Sequence, residues 1–281
     1  MPWKTLIDTA TLAARLTDET LVVVDCRYDL ADTAWGAREY EKRHIPGAVF
    51  ASVDDDLSGA KTGDNGRHPL PEIKTLSRTL GRFGIADDVQ VVVYDQDAGM
   101  YASRLWWLLR WLGHDAVALL DGGFARWIAE NRPVRAGIET RPARAFEGRP
   151  RADWIADAAE VRAAIGRPDR RLVDARAPER YRGEVEPVDK VAGRIPSAVN
   201  HFYRWNIGDH GTFRAASELR ARLLDTIGDI APSHVVAYCG SGVTACQFLL
   251  ACEHVGLHGP RLYPGSWSEW LSDPTRPIEK G

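Results

Sequence analysis

Cys239 closes the β-branched run His234–Tyr238 and is followed at once by Gly240-Ser241-Gly242-Val243-Thr244-Ala245. Two chemistries fit that spacing. The glycines match G-x-G-x-x-A, the opening of a dinucleotide site, whereas a thiol between a strand end and a glycine-rich turn is placed as a nucleophile. A dinucleotide fold needs an acidic residue about 20 positions on to bind the ribose, and more strands after it. That window holds His258 and Arg261 instead, and only Pro260 to Gly281 follow Gly259. The dinucleotide reading fails on both counts. For the nucleophile, the amides of Gly240, Gly242, Val243 and Thr244 can turn inward as a nest. The positive end of a helix starting near Thr244 adds to the field, and together they stabilise a thiolate or other sulfur anion. A cysteine at the end of a buried strand can equally be inert packing, and the local sequence leaves both roles open.

Other cysteine chemistries find no support. Cys26, Cys239, Cys246 and Cys252 contain no C-x-x-C pair, so neither a zinc site, a disulfide framework nor any cofactor is implied. Cys26, Cys246 and Cys252 read as small buried hydrophobes. A phosphatase loop of the form C-x5-R requires an arginine just past the turn, where this chain has Thr244 and Ala245.

The elements that must position Cys239 are written twice. "LVVVDCRYDLADTAWGAREYEKRHIPGAVF" parallels "LVDARAPERYRGEVEPVDKVAGRIPSAVN", pairing Asp25 with Asp174 and Pro46 with Pro196. Further on, Gly99, Gly113 and Trp127 of one copy match Gly242, Gly256 and Trp270 of the other at a constant offset. Short β-rich runs (Leu21–Val24, Val91–Tyr94, Val117–Leu120; Leu172–Val173, His234–Tyr238, Arg261–Tyr263) alternate with helical patterns (Glu72–Phe83, Ser103–Leu112, Ser217–Ile227, Thr244–Val255). Such alternation predicts an α/β fold with one parallel sheet per copy, flanked by helices on both faces. The Pro-, Gly- and Arg-rich stretch Asn131 to Arg151 lacks an apolar period and reads as the connection. The expected division is a domain over 1–135, a linker over 136–151 and a second domain over 152–281. The first copy keeps strand and helix but carries Asp95 where the second has Cys239. A purely structural role would not call for a cysteine in one copy alone.

Composition bounds the partners. The 281 residues are 44% hydrophobic and 27% charged, with a formal net charge of -3, which gives no general attraction to nucleic acid or to an anionic membrane. Met1-Pro2-Trp3 opens no signal-like segment, and no run approaches 18 apolar residues. A cytoplasmic protein without nucleic-acid or membrane partners is the expectation.

"HIPGAVF" at His44–Phe50, its partner "GRIPSAVN" at Gly193–Asn200, "RYRGEVEP" at Arg180–Pro187, the terminal "GSWSEW" and the loop "CGSGVTA" at Cys239–Ala245 together resemble the two-domain rhodanese-like sulfurtransferases. The resemblance spans essentially the full chain. It implies tandem rhodanese-like domains, a non-catalytic first and a catalytic second, with Cys239 taking a sulfur from a small-molecule donor as a persulfide. The sulfur then passes to a thiol, to cyanide or to a protein thiol such as thioredoxin. Neutral Gly240 and Ser241 look like the loop of the 3-mercaptopyruvate branch rather than the thiosulfate branch. By the same resemblance Ser241 joins His68 of "RHPLP" and Asp54 of "VDDDL" as a proton relay, and Arg180 holds the donor's carboxylate. The place of the family's second arginine reads Val188-Asp189-Lys190, so Arg194 is the expected substitute. Alternatives within this frame are a thiosulfate–cyanide sulfurtransferase and a persulfide carrier without turnover.

Overall fold

The structure, a computed structural model, describes residues 2–281. The chain forms two compact units that are not contiguous in sequence. Unit 1 holds the chain up to Gly59, Leu70–Arg151 and Asp209–Phe213; unit 2 holds Ala60–Pro69, Ala152–Gly208 and Arg214–Gly281.

Unit 1 contains β1 (Leu6–Ile7), α1 (Thr9–Ala13), β2 (Leu21–Asp25), α2 (Trp35–Lys42), β3 (Val49–Phe50), α3 (Ile73–Arg82), β4 (Gln90–Tyr94), α4 (Ala102–Trp111), β5 (Val117–Leu120) and α5 (Gly123–Ala129). Its sheet is parallel throughout, in the order β1-β5-β4-β2-β3. Alternate residues of the central strands point to opposite faces. Val23, Val92, Tyr94, Ala118 and Leu120 join one core with Trp127, while Val22, Val24, Val91, Val93 and Val117 on the other face are also fully buried. Burial on both faces is why "LVVVD" and "VVVY" read as continuous apolar runs. The Asn131 to Arg151 stretch is fastened to unit 1, since the amides of Arg144, Arg149 and Arg151 donate to the carbonyls of Gly81, Leu112 and Trp111.

Unit 2 contains α6 (Ala158–Ala164), β6 (Arg171–Asp174), α7 (Pro178–Tyr181), β7 (Val199–Asn200), α8 (Ala216–Ile227), β8 (Val235–Tyr238), α9 (Ala245–His254), β9 (Arg261–Leu262) and α10 (Ser266–Trp270). The order β7-β6-β8-β9, again all parallel, repeats β3-β2-β4-β5. The counterpart of β1 has shrunk to one parallel bridge, Ile155 to Leu262. The duplication extends to side chains. Asp25 holds Arg27 and Asp174 holds Arg176, each pair buried with Nη2–Oδ2 at 2.6 Å; Trp127 and Trp270 each donate Nε1–H to a proline carbonyl, that of Pro133 and of Pro277. Each predicted helix and strand is present, with ends shifted by a residue or so.

Candidate active site

Cys239 leaves the end of β8, and the loop to α9 turns on Gly242, whose φ is +74°. A Cβ at Gly242 would stand 2.9 Å from the Pro264 carbonyl carbon, so glycine serves both the left-handed backbone and the close approach. The cysteine is 2% exposed, and its backbone is held from the α10 side. Its N–H donates to Ser266 Oγ (3.1 Å), its carbonyl accepts from the Trp267 N–H (3.0 Å), and the Gly240 carbonyl accepts from the Ser268 N–H (2.9 Å). Ser266 adopts φ +53°, where the repeat has Gly123 at +57°. A side chain in this costly region has a use here: the hydroxyl that receives the Cys239 amide. "GSWSEW" showed the motif but not this role, and the one available signal was a serine standing where the other copy keeps glycine.

The segment Ala60–Pro69 packs with unit 2 and brings two side chains to the loop. The Arg67 N–H donates to Ser268 Oγ (3.0 Å), fixing the segment on α10, and His68 Nδ1 lies 2.7 Å from Ser241 Oγ with both residues buried. Ser241 and His68 thus meet as expected. Arg67 was not expected. A Cβ built on Gly240 would lie 3.0 Å from Arg67 Nη2 and 3.5 Å from both Arg180 Nη1 and Nη2, so two guanidinium groups flank the residue after Cys239. Arg180 bonds Glu186 through Nε (3.2 Å) and Nη2 (2.7 Å). Asp189 bridges the pair, taking Arg67 Nη1 on Oδ1 (2.7 Å) and Arg180 Nη2 on Oδ2 (3.0 Å). Burial pushes the Glu186 carboxyl up, but Arg180 and the amides of Asp189 and Val188 hold it below the usual carboxylate range.

The remaining expected residues are Arg194 and Asp54. Arg194 does not substitute for a second arginine beside the loop. Its guanidinium stacks 4.5 Å from the Tyr181 ring, pairs with Glu279 and donates to the Gly281 carbonyl, so its charge is already engaged by the C-terminal segment. Asp54 belongs to unit 1, where its Oδ2 accepts the Tyr28 hydroxyl at 2.7 Å. Its neighbours Asp55 and Asp56 cap Ser52. Cys26, Cys246 and Cys252 are fully buried, and burial drives the Cys26 and Cys252 thiols well up.

Unit 1 shows what this loop does with an anion. At the Cys239 position the Asp95 carboxylate is buried and accepts amide N–H bonds from Gly99 (3.0 Å), Tyr101 (2.7 Å), Ala102 (3.0 Å) and Asp97 (3.2 Å). Burial nonetheless raises its pKa to about 6 against the amides of Ala102, Tyr101 and Gly99, with the neighbouring Asp97 charge adding to the rise. Gly99, Tyr101 and Ala102 correspond to Gly242, Thr244 and Ala245, the loop of unit 1 being one residue longer ahead of the glycine.

The Rhodanese-like domain family matches residues 8–130 and again 157–273. The chain belongs to that family. Among its relatives is a Pseudomonas aeruginosa protein named "Probable 3-mercaptopyruvate sulfurtransferase", 46% identical over 278 residues covering 98% of each chain. Another is the rat thiosulfate sulfurtransferase, 32% identical over 257 residues, 90% of this chain and 85% of that one. The solved 3-mercaptopyruvate sulfurtransferase from Leishmania major superposes with a TM-score of 0.86 at 31% identity, covering 98% of this chain and 76% of the other. Two rhodanese-like domains, each a parallel sheet flanked by helices, are the architecture that the repeat and the resemblance together implied. No helix among the described residues is long and apolar enough to cross a membrane.

Proposed function

We propose that this sulfurtransferase moves sulfur from 3-mercaptopyruvate through a persulfide on Cys239. The observation that carries the reading is the Asp95 nest: one copy of the loop wraps a carboxylate with the main-chain amides of Gly99, Tyr101 and Ala102, and the other copy carries the corresponding Gly242, Thr244 and Ala245 after Cys239. The chain is an enzyme acting on small sulfur donors and thiol acceptors, as its family does.

In the first half-reaction the Cys239 thiolate attacks the donor sulfur. An S–S bond forms, the donor's C–S bond breaks, and its electron pair leaves on carbon as the enolate of pyruvate. The proton on the transferred sulfur ends on that carbon, giving pyruvate and a persulfide anion. Ser241 and His68, 2.7 Å apart, form the path for that proton, and Asp54 is proposed to complete the relay. The amides of Gly240, Gly242, Val243 and Thr244 stabilise the persulfide. Arg67 and Arg180 provide the fork for the donor's carboxylate, whose planar geometry suits two guanidinium groups. In the second half-reaction an acceptor thiolate attacks the outer sulfur and restores Cys239; a protein thiol of the thioredoxin kind in a cytoplasmic setting fits this step. The division into a non-catalytic domain over 1–135 and a catalytic one over 152–281 follows the Asp95/Cys239 exchange, with Ala60–Pro69 lent to the second.

Thiosulfate is a second reading, favoured by the two arginines beside Gly240, because it leaves as sulfite without needing a proton. One experiment separates the readings. Intact mass after donor treatment should rise by one sulfur atom and not in Cys239→Ser. In steady state, His68→Ala should slow turnover of 3-mercaptopyruvate by about 10²-fold and that of thiosulfate far less. Equal losses, or faster thiosulfate turnover by the unmodified enzyme, would overturn the donor assignment.

A further inference from the structure

We propose that Asp189 sets donor selectivity by acting as an internal carboxylate on the Arg67–Arg180 fork, one that an incoming donor must displace. The inference rests on the reading that these arginines receive the donor's anionic end. Its basis is geometric. The two oxygens of Asp189 are divided between the two guanidinium groups, one on Arg67 and the other on Arg180, as a substrate carboxylate would divide its own. The side chain is only 6% exposed. It sits on the irregular stretch between α7 and β7, which exposes Val185, Val188 and Val191 to solvent at 52%, 40% and 39%. The backbone on either side is pinned, the Asp189 N–H donating to Glu186 Oε1 (3.0 Å) and the Val191 carbonyl accepting from Trp267 Nε1–H (3.0 Å), so a rotation of the Asp189 side chain alone opens the fork without dismantling a core.

Charge then decides which donors gain. Arg67 and Arg180 carry two positive charges, and Glu186 and Asp189 carry two negative ones, so the closed fork is neutral. Glu186 is tied down by more than one partner: besides Arg180 it takes Nη1 of Arg176 (3.4 Å) and the amides of Val188 and Asp189. Asp189 is the exchangeable member. A donor with a single carboxylate replaces it one for one and leaves the fork neutral. Thiosulfate, a dianion, leaves an excess negative charge beside the displaced aspartate. Asp189 therefore favours monocarboxylate donors and disfavours dianions, although two exposed arginines alone would do the reverse.

The test is Asp189→Asn in the full chain, with Asp189→Glu retaining the charge and Asp189→Ser making the same charge change with a smaller side chain should asparagine impair folding. Two readouts are taken. The first is kcat/KM for 3-mercaptopyruvate and for thiosulfate. Removing one negative charge about 5 Å from the anion should move the ratio toward thiosulfate by roughly tenfold, because a dianion feels the change twice as strongly. The second is the rate of Cys239 alkylation by iodoacetate relative to iodoacetamide, with the modified residue mapped by mass. This ratio reads the charge at the fork whichever donor is natural. It should rise about tenfold in Asp189→Asn or Asp189→Ser and stay near the unmodified value in Asp189→Glu. Ratios unchanged within about twofold in the neutral variants would overturn the proposal. If the unmodified enzyme prefers thiosulfate while the alkylation ratio still responds, the donor reading fails and the role of Asp189 in excluding anions stands.

Discussion

Replacing Gly242 by alanine tests whether the position of the loop, rather than its polarity alone, governs turnover. A Cβ there would overlap the Pro264 carbonyl oxygen and stand 2.9 Å from its carbonyl carbon. Non-bonded carbons settle at about 3.5–4.0 Å, so the loop or the residue it meets must give way by about 1 Å. A shift of about that size at a reacting group costs on the order of 10²-fold in rate. Gly256 provides the matched control. It lies just past the other end of α9 with φ +76°, and a Cβ there meets nothing within 4 Å. Both alanines bear the left-handed backbone cost of about 1–2 kcal/mol, a fall in Tm of roughly 2–8 °C. Only Gly242→Ala should also lose kcat/KM, by about 10²-fold, measured as pyruvate released from 3-mercaptopyruvate at a temperature where both variants are folded. If Gly242→Ala keeps activity within about threefold, or if Gly256→Ala falls equally, the placement argument is wrong.

Arg194→Gln should lower stability by about 1–2 kcal/mol through the lost Tyr181 stack and the half-exposed Glu279 pair, while the KM for 3-mercaptopyruvate stays unchanged; a raised KM would return Arg194 to the donor site. The Asp95 carboxyl, followed by carbon-detected NMR of labelled aspartate, should titrate near pH 6. Because its folded pKa lies above the unfolded value, its contribution to stability is complete below about pH 4 and is lost as pH rises through about 6, a change of about 3 kcal/mol. A midpoint below 4 would mean that the four amides outweigh burial.

Much of this was legible in the sequence because duplication printed the fold twice. β2, β4 and β8 are buried on both faces and therefore spell themselves as β-branched runs, and Gly242 announced its turn by its place after Cys239. Of the four two-residue strands β1, β3, β7 and β9, too short to carry a period, only β9 was read, as the run Arg261–Tyr263. Arg67 went unread although its neighbour His68 was singled out, since nothing local tells an arginine in a polar loop that it will meet Gly240 far along the chain. Arg194 misled for the same reason: its partner Glu279 lies at the far end of the sequence. Asp189 was seen only as the place where an arginine was missing, because bridging two cations is a property of the folded arrangement.

The crossing of Ala60–Pro69 into unit 2 bears on how such a gene can evolve. On the proposed function the first copy, with Asp95 at the position of Cys239, cannot be deleted, since it encodes Arg67 and His68, which pack with unit 2. A recombinant keeping only 152–281 would retain Cys239 but lose the His68 partner of Ser241 and the Arg67 partner of Asp189, and selection would act on the two halves as a single inheritable unit. The lent segment in this way fastens one copy to the other.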